Sequence, residues 1–119
     1  MELVHEDLED GLRKIDLAGR FDLEGANEID LRFTSLVATQ KGFIIVDLSQ
    51  VDFIASLGIS VLVRNARAIR LREGNLVLLN PQPNVARVLA ATRIDQILAV
   101  CQDLEEARLQ LRSAPSPLA

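Results

Sequence analysis

The stretch IIVDLSQVDFIASLGISVLV, residues 44–63, decides the fold of this chain of 119 residues. Its first part belongs to FIIVDL at 43–48, a continuous apolar run rich in β-branched residues, which predicts a central strand buried on both faces. Its last part begins a series of apolar residues at helical spacing, which are Ile59, Leu62, Val63, Ala66 and Ile69. This spacing predicts an amphipathic helix that starts at Ser56 or Leu57 and ends at Gly74.

Two short strands and a helix are predicted before this stretch. The pair DG at 10–11 is a tight-turn signal between LVH at 3–5 and RKIDLAG at 13–19, so the chain is expected to open with a hairpin. A helix is then expected to begin at Asp22 and to end at Gly42. The apolar stripe of this helix consists of Ala26, Ile29, Phe33, Leu36 and Val37.

Two strands and two helices are predicted after the stretch. NLVLL at 75–79 is expected to be a buried strand and ILAV at 97–100 a last short strand. Between them, Asn84 is expected to cap a short helix, and a closing helix follows the last strand. The apolar positions of these helices are Val85, Val88 and Leu89 in the first and Leu104, Ala107 and Leu111 in the second.

The resulting order, β-β-α-β-α-β-α-β-α, places the fold in the α/β class. We expect a mixed β-sheet of about five strands, the opening hairpin plus parallel strands, with about four helices packed against it. Hydrophobic residues make up 49% of the chain, which is enough for one packed core. One domain is therefore expected over 1–112, and the Pro/Ser-rich segment 113–119 is expected to be a disordered tail.

Charge and composition argue against several classes of protein. The formal net charge is -4 and the chain has neither Trp nor Tyr, so it is not expected to bind nucleic acid. No apolar run reaches membrane-spanning length and no signal-peptide pattern is present, so we expect a cytoplasmic protein. The single cysteine, Cys101, is expected to be a buried small hydrophobe rather than a reactive thiol.

Residues for catalysis or for a cofactor are sparse in the sequence. The one histidine, His5, is expected in an edge or hairpin strand, whereas a catalytic triad or a histidine metal site needs further partners. The Gly-x-Ser-x-Gly elbow and the phosphate-binding nucleotide loop are missing. Asp47 and Asp52 are expected to be a strand-end and a turn residue rather than paired catalytic carboxylates. The sequence thus predicts a protein that is not an enzyme and that has neither cofactor nor metal.

Ser56 lies where the helix after the central strand begins, and two roles are open for it. A hydroxyl oxygen at a helix start can accept a hydrogen bond from a first-turn N–H, so a capping role is the simpler interpretation. The same position suits a phosphate, because the exposed N–H groups and the positive end of the helix dipole favour an anion there. Local chemistry alone favours the capping role.

The stretch at 44–63 resembles the signature of anti-sigma factor antagonists of the STAS domain family. That signature is a hydrophobic strand, Asp-Leu, a few residues, Phe-Met-Asp-Ser-Ser/Thr-Gly-Leu-Gly and a helix. AGRFD at 18–22 is similar to the Gly-Glu-Leu/Ile-Asp that precedes the family's first helix, and NPQPNVARVLAATRIDQIL at 80–98 is similar to a later family stretch. The resemblance covers about 3–111 and implies a single STAS-like domain.

The resemblance also implies a function in a partner-switching circuit. Family members bind an anti-sigma factor that is also a serine kinase, and this frees a sigma factor. Phosphorylation by that kinase releases them, and a phosphatase resets them. The implied partners are therefore an anti-sigma factor/serine kinase and a phosphatase, with no nucleic acid and no membrane, and the implied state is a monomer or a weak homodimer.

The resemblance places the site residues by their positions. Ser56 stands where the family has its phosphoacceptor, Asp22 matches the acidic residue of the first motif, and Gly58 matches a family glycine. The expected partner-binding residues are Asp22, Ala55, Leu57, Gly58, Ser60, Arg64 and Arg67.

The chain departs from the family signature close to Ser56. Ala55 replaces the family Asp, Leu57 the Ser/Thr, Ser60 the second glycine and Arg20 the Glu of the first motif. Loss of the neighbouring carboxylate removes a like charge near an incoming phosphate but also a contact for a kinase. Two functions are therefore expected as alternatives: a divergent partner switch, or a STAS interaction module that is not phosphorylated and acts constitutively in a signalling or transport assembly.

Three arginines follow Ser56 at intervals of three residues. Arg64, Arg67 and Arg70 lie away from the apolar stripe of the predicted helix. A solvated helix face is the simpler interpretation of this spacing. The alternative is a basic face, beside the switch residue, that binds an acidic surface of a partner.

Overall fold

The computed structural model describes residues 1–40 and 42–112, and for Asp10 and Arg112 the backbone alone. The tail predicted at 113–119 lies outside the described residues. The elements are β1 Glu2–Asp7, β2 Leu12–Phe21, α1 Leu23–Ala38, β3 Phe43–Ile54, α2 Ser56–Arg70, β4 Asn75–Leu79, α3 Pro83–Ala91, β5 Val100–Cys101 and α4 Leu104–Arg112. Their order is the predicted one.

The described strands form one mixed sheet of five strands in the order β1-β2-β3-β4-β5. The hairpin strands β1 and β2 are antiparallel, and each later strand is parallel to the one before it. The predicted mixed sheet with four helices is therefore confirmed.

Helices cover both faces of the sheet because the central strands are apolar on both sides. Ile44 and Val46 of β3 belong to a large core cluster with the buried residues of α1, α2 and α3. Ile45, which points the other way, belongs to a smaller cluster with Ala107 and Leu111 of α4. The prediction that β3 is buried on both faces is thus confirmed.

Strand β3 is longer than predicted, and this extension builds the site. The predicted strand ended at 48, whereas β3 continues to Ile54, and Asp52 lies in the strand rather than in a turn. The cause is the length of β2, ten residues, which gives β3 a partner as far as the pair Phe21 and Ile54. The carboxyl ends of the two strands therefore lie side by side.

The helix boundaries differ in part from the predicted ones. Helix α1 ends at Ala38, before Gly42, and α2 ends at Arg70, before Gly74. The prediction that Asn84 caps α3 was wrong, because Pro83 occupies the first helical position and Gln82 is the N-cap.

Two connections also differ from prediction. The pair DG at 10–11 lies in a link that contains a short 3-10 turn, Glu9–Gly11, so the hairpin loop is longer than a two-residue turn. The last strand was predicted at 97–100, whereas β5 is Val100–Cys101. Leu98 is outside the ladder because its N–H donates to the Ile94 carbonyl of a preceding turn. Cys101 is fully buried as expected, and burial raises the pKa of its thiol to about 11.

Candidate functional site

The candidate site lies at the carboxyl ends of β2 and β3, where α1 and α2 begin. The N–H of Ala55 donates to the Phe21 carbonyl at 3.0 Å, so the start of α2 is fixed to the end of β2. Asp22 follows Phe21 directly in the sequence, and Ser56 follows Ala55. The geometry thus brings together the residues that the sequence singled out in two separate segments.

Gly58 has a packing role at this junction. It is buried, and a Cβ at this position would lie 2.7 Å from the Phe21 carbonyl oxygen and 2.8 Å from the Phe21 ring. Such distances are too short for any side chain. Gly58 therefore allows the first turn of α2 to pack directly on the end of β2.

Ser56 does not cap α2, and the capping interpretation was wrong. In the first hydrogen bond of the helix, the Ile59 N–H donates to the Ala55 carbonyl at 3.1 Å. The backbone of Ala55 is extended. Ala55 is thus the N-cap, and it has no side-chain oxygen to offer. Ser56 is the first helical residue, and its side chain is exposed.

Asp22 is the N-cap of α1 and carries a charge at the same edge of the sheet. Its Oδ1 accepts from the Gly25 N–H at 2.9 Å, and its Oδ2 accepts from Arg20 Nε at 3.1 Å. The Gly25 hydrogen bond, and after it the Arg20 guanidinium, lower the pKa of the Asp22 carboxyl. The ionised carboxylate is the form that the folded chain stabilises.

A pH-dependent loss of stability follows from this cap. Because the pKa of Asp22 is lower in the folded chain than in the unfolded chain, its contribution is present above about pH 4 and is lost as the pH falls through the folded pKa. Asp22→Asn keeps a capping oxygen without the charge. We expect the difference in thermal midpoint between the parent and this variant to shrink from pH 7 to about pH 3, as followed by circular dichroism. A constant difference across that range would contradict the assignment.

Arg20 lies beside Asp22 and is held on two sides. Its guanidinium carbon is 4.0 Å from the centroid of the Phe53 ring, a cation–π contact between paired positions of β2 and β3. Its Nε donates to Asp22, as described above. In the sequence, Arg20 stands out as a departure from the family signature, but nothing in the sequence indicated the contact with Phe53.

Helix α2 presents a half-apolar surface, called here the α2 face. Its residues are Ile59, Ser60, Val63, Arg64, Arg67, Ala68 and Leu71. Ile59 and Val63 were predicted to be core residues, but they are only partly buried, and Val61 and Asn65 are buried in their place. Leu71 is 87% exposed, and Leu57, at the start of the helix, is 45% exposed.

The arginines of α2 do not share one face. Arg64 is on the α2 face, where it forms an ion pair with Asp30 of α1 and donates to Thr34. Arg67 also lines this face. Arg70 turns toward the sheet instead, with Nε 2.9 Å from the Asn75 side-chain oxygen.

Arg70 therefore has a structural role, so the expectation that all three arginines lie on one face away from the apolar stripe was wrong, for the solvated face and for the alternative basic face alike. Its Nη2 donates at 3.1 Å to the carbonyl of Ile97, which precedes β5, and burial lowers its pKa. Two of the three arginines remain for the α2 face.

The candidate residues thus form two neighbouring groups. Asp22, Ala55, Ser56, Leu57 and Gly58 lie at the strand ends, and Ser60, Arg64 and Arg67 continue along α2. Ser60 Oγ donates to the carbonyl of Ser56 at 3.0 Å, which links the two groups. The apolar part of the α2 face was not predicted from the sequence. The signal that could have shown it is the spacing of Ile59, Val63 and Leu71 by multiples of four residues, which places them along one side of the buried stripe.

Residues 1–40 and 42–112 hold no group of three or more His, Cys, Asp or Glu residues with the geometry of a metal site. Over the same ranges, no helix combines the length and the hydropathy that a membrane span requires.

A curated relative covers most of the chain. It is BtrV of Bordetella bronchiseptica, whose name marks it as a candidate anti-sigma factor antagonist. The two sequences are 26% identical over 105 residues, which are 88% of this chain and 90% of BtrV.

Solved structures share the fold. TM1081 of Thermotoga maritima, described as a candidate anti-sigma factor antagonist, has a TM-score of 0.83 at 23% identity and covers 93% of this chain and 95% of its own. The anti-sigma factor antagonist SpoIIAA, a Bacillus cell-fate determinant, has a TM-score of 0.76 at 21% identity in its unphosphorylated form, with 93% and 96% covered. Its phosphorylated form has a TM-score of 0.69 at 20% identity, with 93% and 100% covered.

The order of elements and the mixed sheet with four helices agree with a single family assignment. The sequence model of the STAS domain matches residues 7–107, which is most of the chain. This chain belongs to the STAS domain family.

Proposed function

We propose that this protein is an anti-sigma factor antagonist that exchanges partners according to the phosphorylation of Ser56. In its unmodified form it binds an anti-sigma factor that is also a serine kinase. Phosphorylation of Ser56 by that kinase releases it, and a phosphatase restores the binding form. The proposal gives the chain a role in binding rather than in catalysis, and it places the protein in the cytoplasm, where sigma factors act.

The observation that carries the proposal is the position of Ser56. Its hydroxyl is exposed at the first helical position of α2, and it takes no part in capping, so a kinase can reach it without unfolding the helix. A phosphate here would meet the positive end of the helix dipole, which favours an anion. The modification would therefore add about -1.5 to -2 charges at small cost to the fold.

The α2 face is the proposed docking surface for the partner. Leu57 and Leu71 lie near its two ends and give it exposed apolar area, while Arg64 and Arg67 supply positive charge. Such a surface fits an apolar patch with an acidic rim. Asp22 contributes to the same contact from the neighbouring strand end, and the small side chain of Ala55 allows close approach. Gly58, which is buried, contributes indirectly by holding the start of α2 against β2.

The effect of the phosphate on binding would be electrostatic and steric. A phosphoryl group on Ser56 would stand beside Leu57, at the end of the docking surface, and its charge would oppose an acidic rim on the partner. Desolvation of the phosphate under a docked protein would add to the cost. Both effects act at the edge of the contact and leave the core of the domain unchanged.

The charge of the α2 face is expected to affect binding. We expect Arg64→Gln combined with Arg67→Glu to weaken binding to the anti-sigma factor/kinase by about tenfold at low salt and to flatten its salt dependence. Gln is chosen for Arg64 because a Glu would face Asp30. The measurement is a calorimetric titration at two salt concentrations, with Arg87→Glu on the exposed side of α3 as the charge control. Equal losses in both variants would argue against a basic docking face.

The proposed function is tested by the intact mass of the chain purified from its own cells, with peptide mapping of any added phosphate. Phosphate on Ser56 in a growth-dependent fraction of the chain supports the switch. A chain that is unmodified under every growth condition favours the alternative, a STAS interaction module that acts constitutively in a signalling or transport assembly. Ala55 and Leu57 would then be signs of a lost kinase site.

A further inference from the structure

We propose that Arg20 binds the phosphoryl group of Ser56 when the chain is phosphorylated. The inference rests on the proposed phosphorylation of Ser56 and adds a receptor for the phosphate within the same chain. It concerns a residue at which this chain departs from its family's signature, since the signature has a Glu at the position of Arg20.

Arg20 is oriented like a receptor for an anion. Its planar guanidinium stacks on Phe53 at 4.0 Å, and its Nε donates to Asp22 at 3.1 Å. Within the described part of the chain, no hydrogen bond engages its two terminal Nη groups. The side chain is 60% exposed, so these two groups are open to solvent. Two adjacent N–H donors in one plane match the geometry of phosphate oxygens.

The pairing of β2 and β3 places Arg20 next to the start of α2. Arg20 is the partner of Phe53 in the ladder, and Ser56 follows Phe53 by three residues. The residue after Arg20, Phe21, accepts the hydrogen bond from Ala55 that fixes the start of the helix. Arg20 is therefore the sequence neighbour of the residue that accepts this bond, and Ser56 is the sequence neighbour of Ala55, which donates it.

Few acidic groups compete with a phosphate at this edge. The acidic residues near the strand ends are Asp22 and Glu24 at the start of α1 and Asp52 on β3, and the side chains of Glu24 and Asp52 are exposed. The first turn of α2 has no acidic residue, and neither does that of α3. At position 55, the signature's Asp is an Ala, which removes the nearest like charge in the sequence.

A phosphate could recruit Arg20 without undoing the cap of α1. The ion pair between Arg20 and Asp22 is weak, because the Arg20 side chain is 60% exposed and that of Asp22 is 31% exposed, so water screens the two charges. Asp22 would keep its bond to the Gly25 N–H if Arg20 moved to a neighbouring phosphate. Phosphorylation would thus add a negative charge at the start of α2 and pair the positive charge of Arg20 with it. Both changes would alter the charge of the surface that a partner meets.

The test uses the full chain with phosphoserine installed at position 56 during translation, so that no kinase is needed. The second ionisation of the phosphate is followed by phosphorus NMR against pH. We expect its pKa to lie below that of a phosphoserine peptide with the sequence of 52–60, by roughly half a pH unit, since Arg20 is exposed and partly screened. In R20Q the pKa should rise, R20K should restore part of the shift, and R87Q should match the parent.

An R20Q chain whose phosphate titrates like that of the parent would overturn the inference. Because position 20 is exposed, these variants are expected to fold, and their thermal midpoints in the unphosphorylated form check this. The result is separate from the proposed function: a chain that is never phosphorylated in its own cells refutes the switch, whereas the titration reports on Arg20 alone.

Discussion

Gly25→Ala is expected to lower the free energy of unfolding by about 2–4 kcal/mol. Gly25 is buried in the first turn of α1. A Cβ at this position would lie 2.0 Å from the carbonyl oxygen of Arg20, which is less than any contact distance between non-bonded atoms. Part of the cost is offset by about 1 kcal/mol, because alanine is the better helix former.

The clash cannot be relieved by a side-chain movement. The atom that is met belongs to the backbone of β2, and that segment is paired with β3 in the sheet. Relief would require α1 to move away from the sheet, which would strain the bond between Asp22 and the Gly25 N–H. That movement would cost packing and hydrogen bonding at the junction of α1 and β2.

The measurement is chemical unfolding of the variant beside Asn27→Ala. Asn27 lies in the same helix and is exposed, so its replacement adds the same residue without a clash, and a change within about 0.5 kcal/mol is expected. If Gly25→Ala is as stable as Asn27→Ala, then α1 does not approach β2 as closely as described here.

Phosphorylation of Ser56 is expected to weaken binding to the anti-sigma factor/kinase by roughly thirty- to a hundredfold, equivalent to about 2–3 kcal/mol. Ser56→Asp carries less charge than a phosphate and should give a smaller loss in the same direction, about tenfold. Ser56→Ala should keep the affinity of the unmodified chain and should resist release by the kinase. These expectations follow from the place of Ser56 beside the exposed Leu57.

Calorimetry with the purified partner measures the three affinities. Ser35→Asp is the matched control, because Ser35 is an exposed helical serine on α1 and its replacement adds the same charge elsewhere. Equal losses for Ser35→Asp and Ser56→Asp would mean that the partner responds to net charge rather than to the start of α2. No loss for either would remove Ser56 from the contact.

Much of the fold could be predicted because its signals are local. The apolar run at 43–48 and the spacing on α1 and α2 depend on neighbouring residues, and β3, α1 and α2 were found at these patterns. The length of β3 could not be predicted, since Ser49, Gln50 and Asp52 interrupt the apolar run in its last six residues. They pair because β2 reaches as far as Phe21, which is a tertiary effect.

The sequence could name candidate site residues but could not predict their contacts. Ser56, Asp22 and Gly58 were found from the resemblance, yet the capping role of Ser56 was wrong. The helix starts one residue earlier than a side-chain cap would require, because Ala55 is held in an extended conformation by its bond to the Phe21 carbonyl. Likewise, the spacing of the arginines could not show that Arg70 contacts Asn75 and the loop before β5.

The two borders of the sheet have a consequence for self-association. At one border, β5 has only two residues, and at the other, β1 carries the exposed acidic side chains of Glu2, Glu6 and Asp7. Short or like-charged border strands are poor templates for a strand from another molecule, so fibre-like growth by backbone pairing is disfavoured. The proposed exchange of partners would gain from this, since the reversible contacts would then be left to side chains of the α2 face.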